Sequence, residues 1–132
     1  MVSALAAACL AVLLYLGVGS KQATFVASIE GEGQRIFVAA VDVKRKTIAV
    51  MPVAYRPDPT RVPELWLIPS GGKPLPLGVL PADGLAQIAI PPAFADQARR
   101  DAILAVSLEP PGGSPTGEPT GPVIGSGKLT NL

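Results

Sequence analysis

Apolar residues along this chain follow two patterns, one continuous and one broken. Residues 2–19 form a run of 18 residues that contains no charge. As a helix this run would rise about 27 Å, which is close to the thickness of the hydrocarbon core of a bilayer. It therefore predicts a transmembrane helix over residues 1–20, with residues 2–19 in contact with lipid. A signal peptide and a buried helix are the alternatives, and the absence of a basic n-region disfavours the signal peptide.

From residue 24 onward, the apolar residues fall into short segments that are bounded by glycine, proline or charged residues. Segments of this kind, rich in Val, Ile, Leu, Phe and Thr and regularly spaced, are typical of an all-β domain. We predict a small β-sandwich of seven or eight short strands over residues 21–132. The predicted strands are residues 24–29, 35–42, 47–54, 64–69, 75–80, 85–90, 103–108 and 123–129.

The hairpin predicted over residues 63–80 organises this domain, because its first strand is strongly apolar and contains the only tryptophan. Residues 65–68 of that strand place no polar side chain on either face, which is typical of a strand covered on both sides. Two glycines supply the turn. The returning strand carries Pro74 and Pro76, which donate no backbone hydrogen bond, so we predict that it lies at a sheet edge.

Two connections are predicted to lack strand structure. Residues 91–100 begin with two prolines and end with two arginines, which favours a short helical connector. Residues 110–121 are rich in proline and glycine and predict an irregular crossing between strands. Glu109 stands directly before this crossing, and we predict that its carboxylate accepts backbone N–H groups of Gly112, Gly113 or Ser114.

Charge and composition disfavour several classes of function. The chain has 11 Lys+Arg against 10 Asp+Glu, so its overall balance gives no indication of nucleic-acid binding. It has no histidine, and its one cysteine, Cys9, lies in the apolar run, which leaves little material for metal sites or base-assisted nucleophiles. We therefore expect no enzyme activity, no cofactor and no metal.

Three short motifs invite a functional interpretation, and a structural one is favoured for each. Residues 70–73 match S-x-x-K, but flanking prolines and internal glycines exclude the helical turn that this chemistry needs. Residues 125–128 resemble a phosphate loop but lack its first glycine, its Ser/Thr and its helix. The basic triplet of residues 44–46 is too short for a lipid or nucleic-acid cluster and predicts a solvated hairpin tip.

Two separated motifs resemble the C-terminal domain of the anti-sigma-K factor (RskA) family. The first comprises residues 65–68, 71–72 and 77–80, and the second comprises residues 105–115 and 119–123. Together with the apolar N-terminal run they cover nearly the whole chain. The candidate positions are structural rather than catalytic: Leu65, Trp66, Leu67, Gly71, Gly72, Gly78, Glu109, Pro110, Gly112, Gly113 and Pro122.

The resemblance implies a regulatory or sensor domain on the extracytoplasmic side of the plasma (inner) membrane. In this family a cytoplasmic segment binds an extracytoplasmic-function sigma factor. Site-1 and intramembrane proteases then cut the anchored protein, and the sigma factor is released. The chain begins at the apolar run, so we expect the sigma-binding segment to be missing from it. The alternative function is a stand-alone membrane-anchored or secreted binding module for an envelope component.

Overall fold

The computed structural model describes residues 25–132. Within this range there is no helix of the length and apolarity needed to cross a membrane. The transmembrane helix predicted over residues 1–20 lies outside the described residues.

Nine strands and one 3₁₀ helix make up the described chain, and the all-β class is confirmed. All eight predicted strands are present, and the predicted helical connector is the 3₁₀ helix, Pro92–Gln97. The ninth strand was not predicted, because two residues carry no periodicity. The strands are β1 (Phe25–Gly31), β2 (Gln34–Asp42), β3 (Thr47–Pro52), β4 (Val62–Ile68), β5 (Leu75–Val79), β6 (Ala86–Ala89), β7 (Ile103–Glu109), β8 (Val123–Lys128) and β9 (Thr130–Asn131).

The strands form one continuous sheet in the order β5-β4-β7-β8-β1-β2-β3-β6, with β9 also paired to β1. All of its pairings are antiparallel. Cα atoms of the two edge strands, β5 and β6, approach within 8 Å, so the sheet curls until it is nearly closed. This arrangement differs from the predicted sandwich. Two separate sheets would need a break in the pairing, and here β8 joins β1 and bridges the two halves.

Alternation along the strands places one set of apolar side chains inside the curled sheet. These residues are almost completely removed from solvent and form one contiguous cluster. The cluster is lined by Ala27, Ile29, Phe37, Ala39, Val41, Ile48, Val50, Leu65, Leu67, Leu77, Leu80, Ile90, Ala98, Ala102, Leu104, Val106 and Leu129.

Glycines at the junction of β1 and β8 allow the two backbones to approach closely. A Cβ atom on Gly127 would lie 1.9 Å from the carbonyl oxygen of Ser28, and one on Gly31 would lie 1.8 Å from that of Ile124. No side chain fits at such distances. The Gly-Ser-Gly-Lys motif of residues 125–128 therefore belongs to a strand and is explained by packing.

The hairpin of β4 and β5 has the edge position that its prolines predicted, since β5 is the first strand of the sheet. Its register shifts between Leu65 and Trp66, which pair with Gly78 and Pro76 respectively. Gly78 has φ of 133°, a value that glycine adopts far more easily than other residues. The bulge therefore depends on glycine at this position.

Candidate functional site

The outer face of β4 and β7 carries a buried polar cluster. Leu65, Leu67, Leu104 and Val106 point into the core, so the alternate residues on the same strands face outward. These outward residues include Trp66, which is nevertheless fully buried, together with three polar side chains. The polar members are Glu64, Ser107 and Glu109, with exposed fractions of 6%, 0% and 0%.

Hydrogen bonds link the tryptophan to the carboxylate of Glu109 through a serine. The indole Nε1 of Trp66 donates to Oγ of Ser107 over 2.8 Å. Oγ of Ser107 donates to Oε2 of Glu109 over 2.5 Å. The Ser107 hydroxyl therefore accepts one hydrogen bond and donates another, so the buried indole N–H and the buried hydroxyl both have partners.

The other hydrogen-bond donors to the Glu109 carboxylate come from the loop of residues 110–122, here called the tail crossing. The backbone N–H of Thr120 lies 3.1 Å from Oε2 and 3.2 Å from Oε1. The Thr120 hydroxyl donates to Oε1 over 2.5 Å, and the N–H of Gly121 donates to Oε2 over 3.2 Å. Glu109 therefore fastens the end of the tail crossing to the sheet.

These donors also set the ionisation of Glu109. Burial on its own would raise the pKa of this carboxyl. Hydrogen bonds from Ser107, Thr120 and Gly121 stabilise the charged form and outweigh the effect of burial, so the pKa lies below its ordinary value. Glu109 is accordingly a buried carboxylate that is charged at neutral pH and neutralised by donors.

A second carboxylate fastens the start of the tail crossing. Oε1 of Glu64 accepts the backbone N–H of Ser114 over 2.6 Å. The N–H of Gly113 instead bonds the carbonyl oxygen of Pro110 over 2.9 Å, and Gly113 has φ of 98°. A Cβ on Gly113 would lie 3.0 Å from Glu64 Oε1, so glycine lets the loop approach the carboxylate.

The donors predicted for Glu109 were therefore wrong. The crossing is long enough to fold back, so Glu109 meets its far end at Thr120 and Gly121, while Glu64 on the neighbouring strand meets Ser114. Glu64 was not among the positions predicted from the sequence. The signal that was available is alternation, because Glu64 shares the parity of Trp66 and Glu109 shares that of Ser107.

Four of the eleven predicted structural positions lie on strands β4 and β5, namely Leu65, Trp66, Leu67 and Gly78, and the other seven fall into two places. Glu109, Pro110, Gly112, Gly113 and Pro122 meet at the tail crossing, where the carbonyl oxygen of Pro122 accepts the N–H of Leu108 over 2.9 Å. The two turn glycines lie at the other end of β4, in the loop that leads to β5. There the N–H of Gly72 donates to the carbonyl oxygen of Pro69 over 2.9 Å, and Gly71 has φ of 71°.

A cleft of about 710 Å³ opens beside the tail crossing, between the β1–β2 turn, the β3–β4 loop and the start of β8. Tyr55 packs against the core with its ring centroid 5.1 Å from that of Phe37. Its hydroxyl is buried without a hydrogen-bond partner, and burial raises its pKa. The charged residues of the lining are Glu30, Glu32 and Arg56.

The geometry indicates a fastened loop rather than a reactive centre. Donors of Ser107, Thr120 and Gly121 engage both oxygens of the Glu109 carboxylate. Over residues 25–132, no group of three or more His, Cys, Asp or Glu side chains is placed to hold a metal ion. The arrangement can hold residues 110–122 against the outer face of β4 and β7.

Fold and loop together define a small all-β domain whose nearly closed sheet is covered on one outer face by a carboxylate-bound crossing. The chain belongs to the family described as anti-sigma-K factor rskA, C-terminal, whose model matches residues 2–123. The matched residues contain both motifs on which the resemblance was based, so the resemblance is confirmed. No curated protein and no solved structure matches this chain.

Proposed function

We propose that this chain is the extracytoplasmic regulatory domain of a single-pass, membrane-anchored anti-sigma factor, with its membrane helix. The observation that carries the proposal is the family match over residues 2–123, which joins the apolar N-terminal run and the β domain in one unit. The run of 18 uncharged residues has the length required of an anchor. The domain would then stand outside the plasma membrane, attached through its N-terminal end.

In this proposal the domain acts through binding and protease access, and not through catalysis. Its described strands are paired into one sheet, and paired strands resist cleavage because a protease needs an extended, accessible segment. A signal that loosens the domain, or that exposes the segment between it and the membrane, would promote cleavage. A sigma factor held by a cytoplasmic segment encoded upstream of Met1 would then be released.

The test is to purify the natural product from solubilised membranes and to identify its N-terminus and its bound proteins by mass spectrometry. A product longer at its N-terminus that retains a sigma factor supports the proposal. A product that starts at Met1 and retains no sigma factor contradicts it.

One observation favours a second function, that of an anchored binding module for an envelope component. The cleft of about 710 Å³ is large enough for a small ligand, and Tyr55 and Arg56 contribute to its lining. This second function gains support if the natural product begins at Met1 and co-purifies with an envelope molecule that Arg56→Ala releases.

A further inference from the structure

The two ends of the nearly closed sheet can be located from the strand register. Phe25, where the described chain begins, pairs with both Val41 and Asn131. Ile103 pairs with both Ile68 and Lys128. The end defined by these pairs, here called the N-terminal rim, comprises Phe25 together with residues 42–46, 69–74, 90–102 and 128–132. Hydrogen bonds across the N-terminal rim run from Ile90 N to the carbonyl oxygen of Lys46 and from Leu129 N to that of Ala102.

The other end of the sheet, here called the opposite rim, holds the β1–β2 turn, residues 53–61, the loop after β5 and the tail crossing.

Charged side chains are divided unequally between these rims. Of the ten Lys and Arg residues in the described chain, seven lie on the N-terminal rim, and all seven are exposed. Only three carboxylates accompany them, which are Asp42, Asp96 and Asp101, so the side chains of this rim carry a net charge of +4. The seven basic residues are Lys44, Arg45, Lys46, Lys73, Arg99, Arg100 and Lys128.

The opposite rim has the reverse balance. Its three basic residues, Arg35, Arg56 and Arg61, stand against seven carboxylates, so its net side-chain charge is −4. The near-neutral total of the whole sequence therefore conceals two charged ends. The carboxylates nearer this rim are Glu30, Glu32, Asp58, Glu64, Asp83, Glu109 and Glu118.

We propose that the N-terminal rim rests on anionic phospholipid headgroups of the membrane that anchors the chain. This inference depends on the membrane anchorage proposed above. The basic triplet of residues 44–46 is too small for such a contact by itself, and Arg45 is partly neutralised by Asp42, whose Oδ2 lies 3.8 Å from its Nε. The fold adds four basic residues from three other segments, which brings the cluster into the range of four to eight that anionic lipid surfaces recognise.

The position of the anchor favours the same contact. Only five residues, 20–24, separate the apolar run from Phe25. Fully extended, five residues span at most about 18 Å, so the rim at which the chain enters the domain cannot move far from the headgroups. A tether this short keeps the basic rim at high effective concentration beside the membrane. It also leaves the acidic rim, with the tail crossing and the cleft, on the far side.

The experiment compares the full chain in vesicles of phosphatidylcholine with the full chain in vesicles that contain about one third phosphatidylglycerol. Backbone hydrogen exchange is measured by mass spectrometry. We expect exchange in 43–46 and 98–102 to slow at least about threefold in the anionic vesicles, and the loops of the opposite rim serve as an internal reference. Since the contact is electrostatic, the slowing should disappear at about 0.5 M salt.

Two charge-reversal variants sharpen the result. Lys44→Glu, Arg99→Glu and Arg100→Glu together should abolish the slowing, whereas Arg56→Glu with Arg61→Glu, on the opposite rim, should preserve it. All five residues are exposed, so thermal unfolding is expected to match the wild type. The salt titration of the wild-type chain decides the question without variants if the triple variant does not fold.

The outcomes separate this inference from the proposed anchorage. A wild-type chain that alkaline carbonate extracts from the vesicles overturns the anchorage, and the rim contact with it. A chain that resists extraction but exchanges equally in both lipids overturns the rim contact alone. Slowing confined to the N-terminal rim, dependent on anionic lipid and sensitive to salt, supports the contact.

Discussion

Two proline-containing crossings at the opposite rim are held in place in different ways. Residues 53–61, between β3 and β4, rely on a carboxylate within the loop. Asp58 Oδ1 accepts the backbone N–H and the hydroxyl of Thr60 over 2.7 and 2.8 Å and the N–H of Arg61 over 3.1 Å. The tail crossing instead uses carboxylates from the sheet, because Glu109 and Glu64 lie on β7 and β4.

The difference lies in sequence separation and burial. The bonds of Asp58 join residues two or three positions apart at the surface, and such local bonds form even in a largely unfolded chain. The bond from Ser114 to Glu64 joins residues 50 positions apart, and the Glu109 side chain is fully buried. Bonds of this second kind exist only in the folded state, so their loss lowers the free energy of unfolding.

The largest effect is expected for Glu109→Ala. The substitution leaves the buried Ser107 hydroxyl and the part-buried N–H groups of Thr120 and Gly121 without their acceptor. Since unsatisfied buried groups are costly, we expect the free energy of unfolding to fall by about 3 kcal/mol, as measured by urea denaturation. Proteolysis within the tail crossing should accelerate.

Glu118→Ala is the matched control, because it removes an exposed glutamate from the same crossing. We expect its effect to stay within about 0.5 kcal/mol. Equal stabilities of the Glu109→Ala variant and the wild type would mean that the tail crossing is held by its own conformational preferences, as residues 53–61 are.

Low pH should also weaken the attachment of the tail crossing to Glu109, but by less than the Glu109→Ala substitution does. The pKa of Glu109 is lowered in the folded state, so its contribution is fully present above the ordinary glutamate pKa of about 4.3. The contribution is lost as the pH falls through the lower folded value. We expect urea denaturation from about pH 7 to about pH 2 to show this loss in the wild type.

In Glu109→Gln the corresponding part of the pH profile should be absent, since the amide does not titrate. All other carboxylates are common to both proteins, so the difference between the two profiles isolates Glu109. Parallel profiles throughout the acid range would show that the folded and unfolded pKa values of Glu109 are equal.

Glu64→Ala is expected to have a smaller effect, of about 1 kcal/mol, because it removes one acceptor from a partly buried site. The change should be local. Amide exchange at Ser114 should accelerate, while exchange at Thr120 and Gly121 should stay slow because Glu109 still holds them. Glu64→Gln keeps an acceptor oxygen and should resemble the wild type, whereas equal acceleration at Thr120 would show that the crossing opens as one unit.

Much of the fold was predictable because hydrophobic alternation and turn residues are local signals. The eight predicted strands, the 3₁₀ connector and the edge position of β5 follow from such signals. Closure of the sheet was not predictable, since it depends on β8 meeting β1, and their pairing is between Glu30 and Ser126, which lie far apart in the sequence. The likeness of residues 125–128 to a phosphate loop gave no indication that Gly127 lies against the backbone of Ser28.

At the candidate site, it was predictable that Glu109 binds backbone donors of the tail crossing, but not which donors it binds. Glu109 before a proline- and glycine-rich loop indicated a carboxylate that binds backbone donors. Which donors it meets depends on how the crossing folds back, and no local pattern encodes that path. Charge asymmetry was hidden for the same reason, because only the strand register brings Lys73, Arg99 and Lys128 to the same rim as residues 44–46.

The smallest effect is expected for Asp58→Ala, which tests the other half of the comparison. The pKa of Asp58 is lowered, first by the backbone N–H of Thr60 and then by its hydroxyl, so these bonds form to the charged carboxylate. Because they are local and exposed to solvent, their loss should leave the urea midpoint unchanged while amide exchange at Thr60 and Arg61 accelerates. Asp58→Asn keeps the acceptor and should show neither change. A shift in the midpoint as large as that of Glu64→Ala would mean that both crossings depend equally on the folded sheet.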